Sequence, residues 1–145
     1  MEDNKISIIP ADIFYYYLPM KCKTVSEPEK NIIDHTDDEI LPIANQIWSD
    51  LIKSSNEGKY GDFIRDFAYS LIKGLNEIEV GNQFVKSELT RNLSGLVDCL
   101  GVIRRGQHVT VLYRQRSTKL EGEWLGRLVL GYEDGEVKVF GASIF

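Results

Sequence analysis

The C-terminal part of the chain, Leu100–Phe145, alternates between apolar and polar residues and is punctuated by turn residues. Successive side chains of an extended strand point to opposite faces, so this alternation predicts strands with one buried face. Val109, Val111 and Tyr113 share one side of the first predicted strand. Leu128 and Leu130 lie on one face of the second, which spans 124–132. We therefore expect an antiparallel meander of three strands.

The third predicted strand spans 136–145 and follows a tight hairpin turn. Gly135 in this turn is able to adopt the positive φ that such a turn requires. Simple alternation places Val137 and Val139 on one face of the strand. Four residues then fall on the opposite face: Lys138, Phe140, Ala142 and Ile144.

Residues 37–95 have helical spacing instead. Thr36 and Glu39 form a capping-box pattern, which predicts that a first helix starts there and runs to the 54–61 break. Apolar residues at steps of three or four predict a second helix over 62–75 and a third over 82–94, ended by Gly95. Helices followed by a meander indicate an α+β fold with the helices packed on one face of the sheet.

Composition excludes several classes of protein. The chain has 145 residues, a formal net charge of -5 and a pI near 5.1, which disfavours nucleic-acid binding. Cys22 and Cys99 have neither the spacing of a metal site nor that of a disulfide framework. The start lacks a cationic leader and has no run long enough to span a membrane. We expect a cytoplasmic protein that has no metal or cofactor and binds no membrane.

The chain divides into two parts. Residues 1–35 form an appended arm, with a short apolar run and the triplet Tyr15-Tyr16-Tyr17, and residues 36–145 form one α+β domain. Three adjacent tyrosines are costly to leave in water, so the arm is expected to cover an apolar surface of its own domain or of a neighbouring subunit.

The order of elements over 37–145 resembles the nuclear-transport-factor-2-like group, also called the cystatin-like cone fold. Five features carry the resemblance: the first helix with Trp48, the 59–63 break KYGDF, the entry into the sheet at Leu100-Gly101, the strand segment 113–116, and the Asp134-Gly135 turn followed by KVFG at 138–141. The resemblance implies a curved sheet that wraps round the helices and leaves a conical apolar pocket. The pocket residues implied are Trp48, Tyr60, Phe63, Phe67, Phe84 and Tyr113.

Function in this group varies, so the resemblance indicates where a site lies and leaves the activity open. The favoured interpretation is a non-catalytic module that binds a small apolar ligand or a protein partner, as a homodimer. The first alternative is an isomerase, dehydratase or cyclase with Asp66 or Asp98 as base. The second is an immunity-type inhibitor with an acidic binding surface.

Other titratable residues favour structural roles. Asp62 and Asp66 fall on the polar face of the second predicted helix, and His108 is expected to be exposed and Cys99 to be a buried thiol. Helix capping explains His35 with its neighbouring aspartates, Asp34, Asp37 and Asp38, better than a metal site does.

Arginines are the more informative charges of the predicted sheet. Arg114, Arg116 and Arg127 on adjacent strands form either a carboxylate- or phosphate-binding patch or a solvated face balanced by neighbouring charges. Those neighbours are Lys119, Glu121 and Glu123. In the group that this chain resembles, that face is often a dimer interface, which would place Trp124 or Tyr132 with the arginines. Sheet register decides between these possibilities.

Overall fold

A computed structural model of the chain describes residues 31–74 and 87–145. A 3₁₀ helix at Ile32–Asp34 precedes three helices: α1 (Asp37–Glu57), α2 (Tyr60–Phe63) and α3 (Tyr69–Lys73). Four strands follow: β1 (Asp98–Arg105), β2 (His108–Gln115), β3 (Trp124–Glu133) and β4 (Glu136–Ile144). The strands form one antiparallel sheet in the order β1-β2-β3-β4, which does not close on itself. The predicted α+β class is confirmed.

The first helix begins where the sequence predicts. The Thr36 side chain accepts a hydrogen bond from the Glu39 backbone N–H, and the Glu39 carboxylate accepts one from the Thr36 N–H, so both halves of the capping box form. Gly58, at φ 69°, ends the helix in the left-handed conformation.

The prediction of a second helix over 62–75 is wrong for residues 62–74, and Leu75 lies outside the described residues. Two short helices, α2 and α3, replace it, and the stretch between them pairs with the sheet edge. The Ala68 N–H donates to the Val139 carbonyl and the Val139 N–H to the Asp66 carbonyl, each at 2.7 Å. Tertiary hydrogen bonds to β4 thus override the helical spacing.

The prediction of a third helix over 82–94 is also wrong where the structure describes it, and residues 82–86 lie outside the described ranges. Residues 87–92 form turns, and Leu93 forms an isolated antiparallel bridge with Ser117. The Ser94 N–H donates to the Arg116 carbonyl and the Thr118 N–H to the Asn92 carbonyl, both at 2.8 Å.

The sheet has one strand more than the three predicted. The additional strand is β1, which the sequence does not predict. None of its residues is fully buried, and a bulge between Cys99 and Gly101 interrupts its alternation. The hairpin turn at Asp134-Gly135, by contrast, is confirmed, with both residues at positive φ.

The core lies between α1 and the inner face of the sheet. Val109, Val111 and Tyr113 of β2 share one side as predicted, and that side faces inward, where Tyr113 stacks on Trp48 of α1. The face assignment of β4 needs correction after Val139. A bulge between the Val129 and Leu130 pairings shifts the register, so that Ala142 pairs with Leu128 and Ile144 with Gly126. Ala142 and Ile144 therefore pack on the core together with Val137 and Val139.

The 3₁₀ helix falls inside the predicted arm but belongs to the core, since Ile32 is fully buried. Arg104 of β1 connects it to α1. Its guanidinium donates hydrogen bonds to the carbonyls of Ile33 and His35 and pairs with Asp37 at 2.8 Å.

Candidate functional site

A cavity of about 490 Å³ lies between α1, the α2–α3 region, the 87–93 turns and the end of β4. Its described lining consists of ten apolar and four hydroxyl-bearing residues. These are Trp48, Leu51, Ile52, Ser55, Phe63, Phe67, Leu71, Ser87, Leu89, Thr90, Leu93, Ala142, Ser143 and Ile144.

A buried polar network holds the Trp48 ring at the cavity wall. The Trp48 indole N–H donates to the Gln115 side-chain oxygen at 2.9 Å, and the Gln115 amide donates to the carbonyls of Ser94 and Arg116. Gln115 is fully buried. The indole also stacks on Tyr113, with the ring centroids 5.0 Å apart. The hydrogen bond fixes the edge of the ring and the stacking fixes its plane. The ring therefore has little freedom to rotate into the cavity.

The opposite wall is formed by the α2–α3 region. Phe63 and Phe67 meet edge to face with a centroid separation of 5.4 Å, and the pairing of residues 66–68 with β4 fixes Phe67. The Ser55 hydroxyl donates to the Thr90 carbonyl and so links α1 to the 87–93 turns.

The described lining of the cavity contains no ionisable side chain. Its polar groups are hydroxyls, which bind neutral donors and acceptors and have no charge with which to attract an ion. The arrangement suits an uncharged, largely apolar molecule.

Three of the six residues predicted for the pocket line this cavity: Trp48, Phe63 and Phe67. Tyr113 lies in the core, where its hydroxyl donates to Asn45 at 2.9 Å and burial raises the pKa of its phenol. Tyr60 begins α2, outside the cavity lining. Phe84 is outside the described residues.

None of the candidate bases lines the cavity. Asp66 pairs with Arg65 at 3.3 Å at the protein surface, and this hydrogen bond raises the pKa of the Arg65 guanidinium. Asp98 is exposed on the edge strand, and Asp62 is exposed on α2. His108, on the outer sheet face, is partly covered by the Phe140 ring at 4.7 Å between centroids.

Cys99 is exposed, so the predicted buried thiol is wrong. Cys99 pairs with Tyr113 on β1, which is an edge strand of the sheet in the described part of the chain, so its other side has no strand against it. Among residues 31–74 and 87–145, no cluster of histidine, cysteine and carboxylate side chains has the arrangement of a metal site. His35 instead shares a hydrogen bond with the Tyr132 hydroxyl at 2.7 Å.

The register divides the three arginines that the sequence groups together. Arg114 and Arg116 lie beside Asp98 and Glu123, with all four ion-pair distances between 3.1 and 3.5 Å. The hydrogen bond from Arg116 lowers the pKa of the Asp98 carboxyl. Arg127, one strand further, takes no part in this network.

Sequence reasoning missed the part of the cavity formed by the 87–93 turns. Leu89, Thr90 and Leu93 lie in a stretch whose leucine spacing predicts a helix. The polar residues Asn92, Ser94 and the following Gly95 are the turn signal that the sequence carries here.

Comparison with known proteins gives no match to any family model, curated protein or solved structure. The resemblance to the nuclear-transport-factor-2-like group therefore stays a prediction. No helix in the described part of the chain combines the length and apolar character needed to cross a bilayer.

Proposed function

We propose that this protein is a binding module that holds a small, uncharged, apolar ligand in the 490 Å³ cavity. The observation that carries the proposal is the chemistry of the described lining, which is apolar apart from four hydroxyl groups. Ligand pockets typically have volumes of about 300–1,000 Å³ and apolar walls with a few polar groups that fix orientation.

Binding accounts for this lining better than catalysis of an enolisation does. Such chemistry needs a general base within reach of the substrate and a group that stabilises the resulting oxyanion. Asp66 and Asp98, the candidate bases, lie outside the lining and are held in surface ion pairs. The cavity walls offer contact area and hydroxyl groups instead.

Titration with a neutral fluorescent dye of the phenylnaphthylamine type tests the proposal. We expect saturable binding at one site per chain. Ala142→Leu places extra volume in the cavity and should weaken dye binding by about tenfold or more, a loss of about 1.4 kcal/mol. The same apolar side chain at exposed Ser49, in Ser49→Leu, should leave the affinity within about twofold.

A second cavity-filling variant keeps the test valid if Ala142→Leu does not fold. Leu71 is half-buried at the cavity wall, so Leu71→Trp is expected to fold and to fill the space. If neither folded variant weakens dye binding, the dye binds elsewhere and the proposal is wrong.

A further inference from the structure

The seven arginines of the chain all lie in the described residues, and five of them have polar partners. Arg65, Arg104, Arg114 and Arg116 pair with carboxylates, and Arg91 donates to the Asn56 carbonyl. The remaining two, Arg105 and Arg127, make no hydrogen bond or ion pair with the described residues.

These two arginines line the same small cavity on the outer sheet face. The cavity has a volume of about 320 Å³, and its other lining residues are His108, Thr110, Val129 and Phe140. Arg105 reaches it from β1 and Arg127 from β3, so they approach from opposite sides of β2. The described lining includes no carboxylate.

The cavity also has an ordered apolar wall. The Phe140 ring meets His108 edge to face at 4.7 Å between centroids, and Phe140 points to this side of the sheet because it follows inward-facing Val139. Gly131 permits this arrangement, because a Cβ there would lie 2.8 Å from the His108 ring and 2.9 Å from the Phe140 ring.

The Phe145 ring packs against the guanidinium of Arg127. Its guanidinium carbon lies 5.7 Å from the centroid of the Phe145 ring. A guanidinium stacked on an aromatic face keeps its N–H donors free in the guanidinium plane. Arg127 is therefore partly oriented while its hydrogen-bonding capacity remains unused.

We propose that this outer-face cavity binds a small organic oxyanion, with its carboxylate or phosphate group held between Arg105 and Arg127 and its apolar body lying against Phe140 and Val129. Guanidinium groups bind both kinds of anion through paired N–H donors. The Thr110 hydroxyl supplies one further donor at the cavity wall. The net charge of -5 gives anions no general attraction to the protein, so an anion that binds needs this local cluster.

Isothermal titration with phenyl phosphate, benzoate and inorganic phosphate tests the site. Saturable binding of phenyl phosphate or benzoate is expected, and the tighter of the two identifies the head group as phosphate or carboxylate. Inorganic phosphate, which lacks the apolar body, should bind more weakly than phenyl phosphate. Absence of saturable binding by both organic anions would overturn the proposal.

Arginine variants locate the binding. Each of Arg105→Ala and Arg127→Ala should weaken binding of the tighter probe by about tenfold or more, as expected for loss of a charge-assisted hydrogen bond. Both side chains are exposed, so both variants should fold. Arg116→Ala is the matched control, because it removes the same charge from the same face but from an arginine already paired with Asp98 and Glu123.

The affinity of Arg116→Ala should stay within about twofold of wild type, since its guanidinium does not line the cavity. An equal loss in Arg116→Ala and in the two cavity variants would mean that the anion responds to overall charge, and it would contradict a built site. Phe140→Leu should reduce the affinity for phenyl phosphate towards that for inorganic phosphate. If the difference between these two affinities is unchanged in the variant, Phe140 does not bind the apolar body of the ligand.

Discussion

At the scale of single residues, Gln115 connects the fold to the proposed site. Its fully buried side chain satisfies the Trp48 indole and two backbone carbonyls at once. Trp48 in turn forms part of the cavity wall. Sequence alternation predicts that residue 115 shares the inner face with Tyr113, but the pattern gives no reason for an amide there, because only the tertiary fold brings Trp48 to it.

Replacing Gln115 by Leu should lower the free energy of unfolding by about 1–3 kcal/mol, because the Trp48 N–H and the carbonyls of Ser94 and Arg116 lose a buried partner. Urea denaturation measures this. Gln46→Leu serves as the control: Gln46 is exposed and its bond to Asp50 lies at the surface, so the change should stay within about 0.5 kcal/mol. Equal effects of the two substitutions would contradict the role assigned to Gln115.

Gly126 allows the Trp48 ring to lie directly on β3. A Cβ at this position would stand 2.6 Å from Trp48 Cζ2 and 3.3 Å from the Tyr113 Cβ. We expect Gly126→Ala to destabilise the protein by about 1–3 kcal/mol through overpacking and to change the near-ultraviolet circular dichroism of the displaced indole. Gly95→Ala is the matched control, since a Cβ there meets no atom within 4 Å. A Gly126→Ala protein as stable as Gly95→Ala would show that the ring moves aside at little cost.

At the scale of elements, the edge strand β1 is held by charges at both ends. Arg104 binds one end to the start of α1, and Asp98 at the other end pairs with Arg114 and Arg116 of the β2 region. Edge strands with charged residues resist pairing with another chain, which suits a strand whose outward residues are partly apolar.

The Asp98 carboxyl should titrate below its usual pKa of 3.8, chiefly because Arg116 donates a hydrogen bond to it. A carboxyl whose pKa is lowered by folding stabilises the folded state above its unfolded pKa. That contribution is lost as the pH falls through the lowered value. Carboxyl carbon NMR should record a low pKa in the wild type and a rise towards the usual value in Arg116→Ala.

The control for this titration is Arg127→Ala, which removes a charge from the same face outside the Asp98 network. It should leave the Asp98 titration nearly unchanged. An ordinary Asp98 pKa in the wild type would mean that the ion pairs do not persist in solution.

The elements that the sequence predicts correctly are those with strong local signals. α1 has both a capping box and an apolar stripe, and the β3–β4 hairpin has an Asp-Gly turn. The wrong predictions concern segments whose secondary structure or buried face is determined by long-range contacts. Residues 66–68 have helical spacing but pair with β4, and the β4 bulge turns Ala142 and Ile144 inward. Neither effect has a local signature.

At the scale of the whole molecule, the sheet separates two environments. The inner face, covered by α1, borders an apolar cavity whose described lining lacks charge, whereas the outer face carries the chain's two arginines that have no polar partner among the described residues. Sequence patterns predict which β2 residues share a face. They do not predict that Arg127 joins Arg105, because that grouping depends on the β1 strand and on strand register.

The apolar cavity likewise depends on tertiary structure. Trp48, Phe63 and Phe67 were recognisable as large aromatic residues near the sheet, but Leu89, Leu93 and Ile144 reach the cavity through turns and a bulge. If these segments enclose a ligand site, a bound ligand should perturb side chains on each of them.

Methyl NMR with naphthalene as the added ligand tests this account most directly. Saturable shifts are expected for the cavity methyls of Ile52, Leu93 and Ile144, whereas Val109 and Leu128, fully buried outside the cavity lining, should change little. Ala142→Leu should abolish the shifts. Naphthalene that leaves the cavity methyls unperturbed, or that shifts core and cavity methyls alike, would contradict a ligand site between α1 and the end of β4.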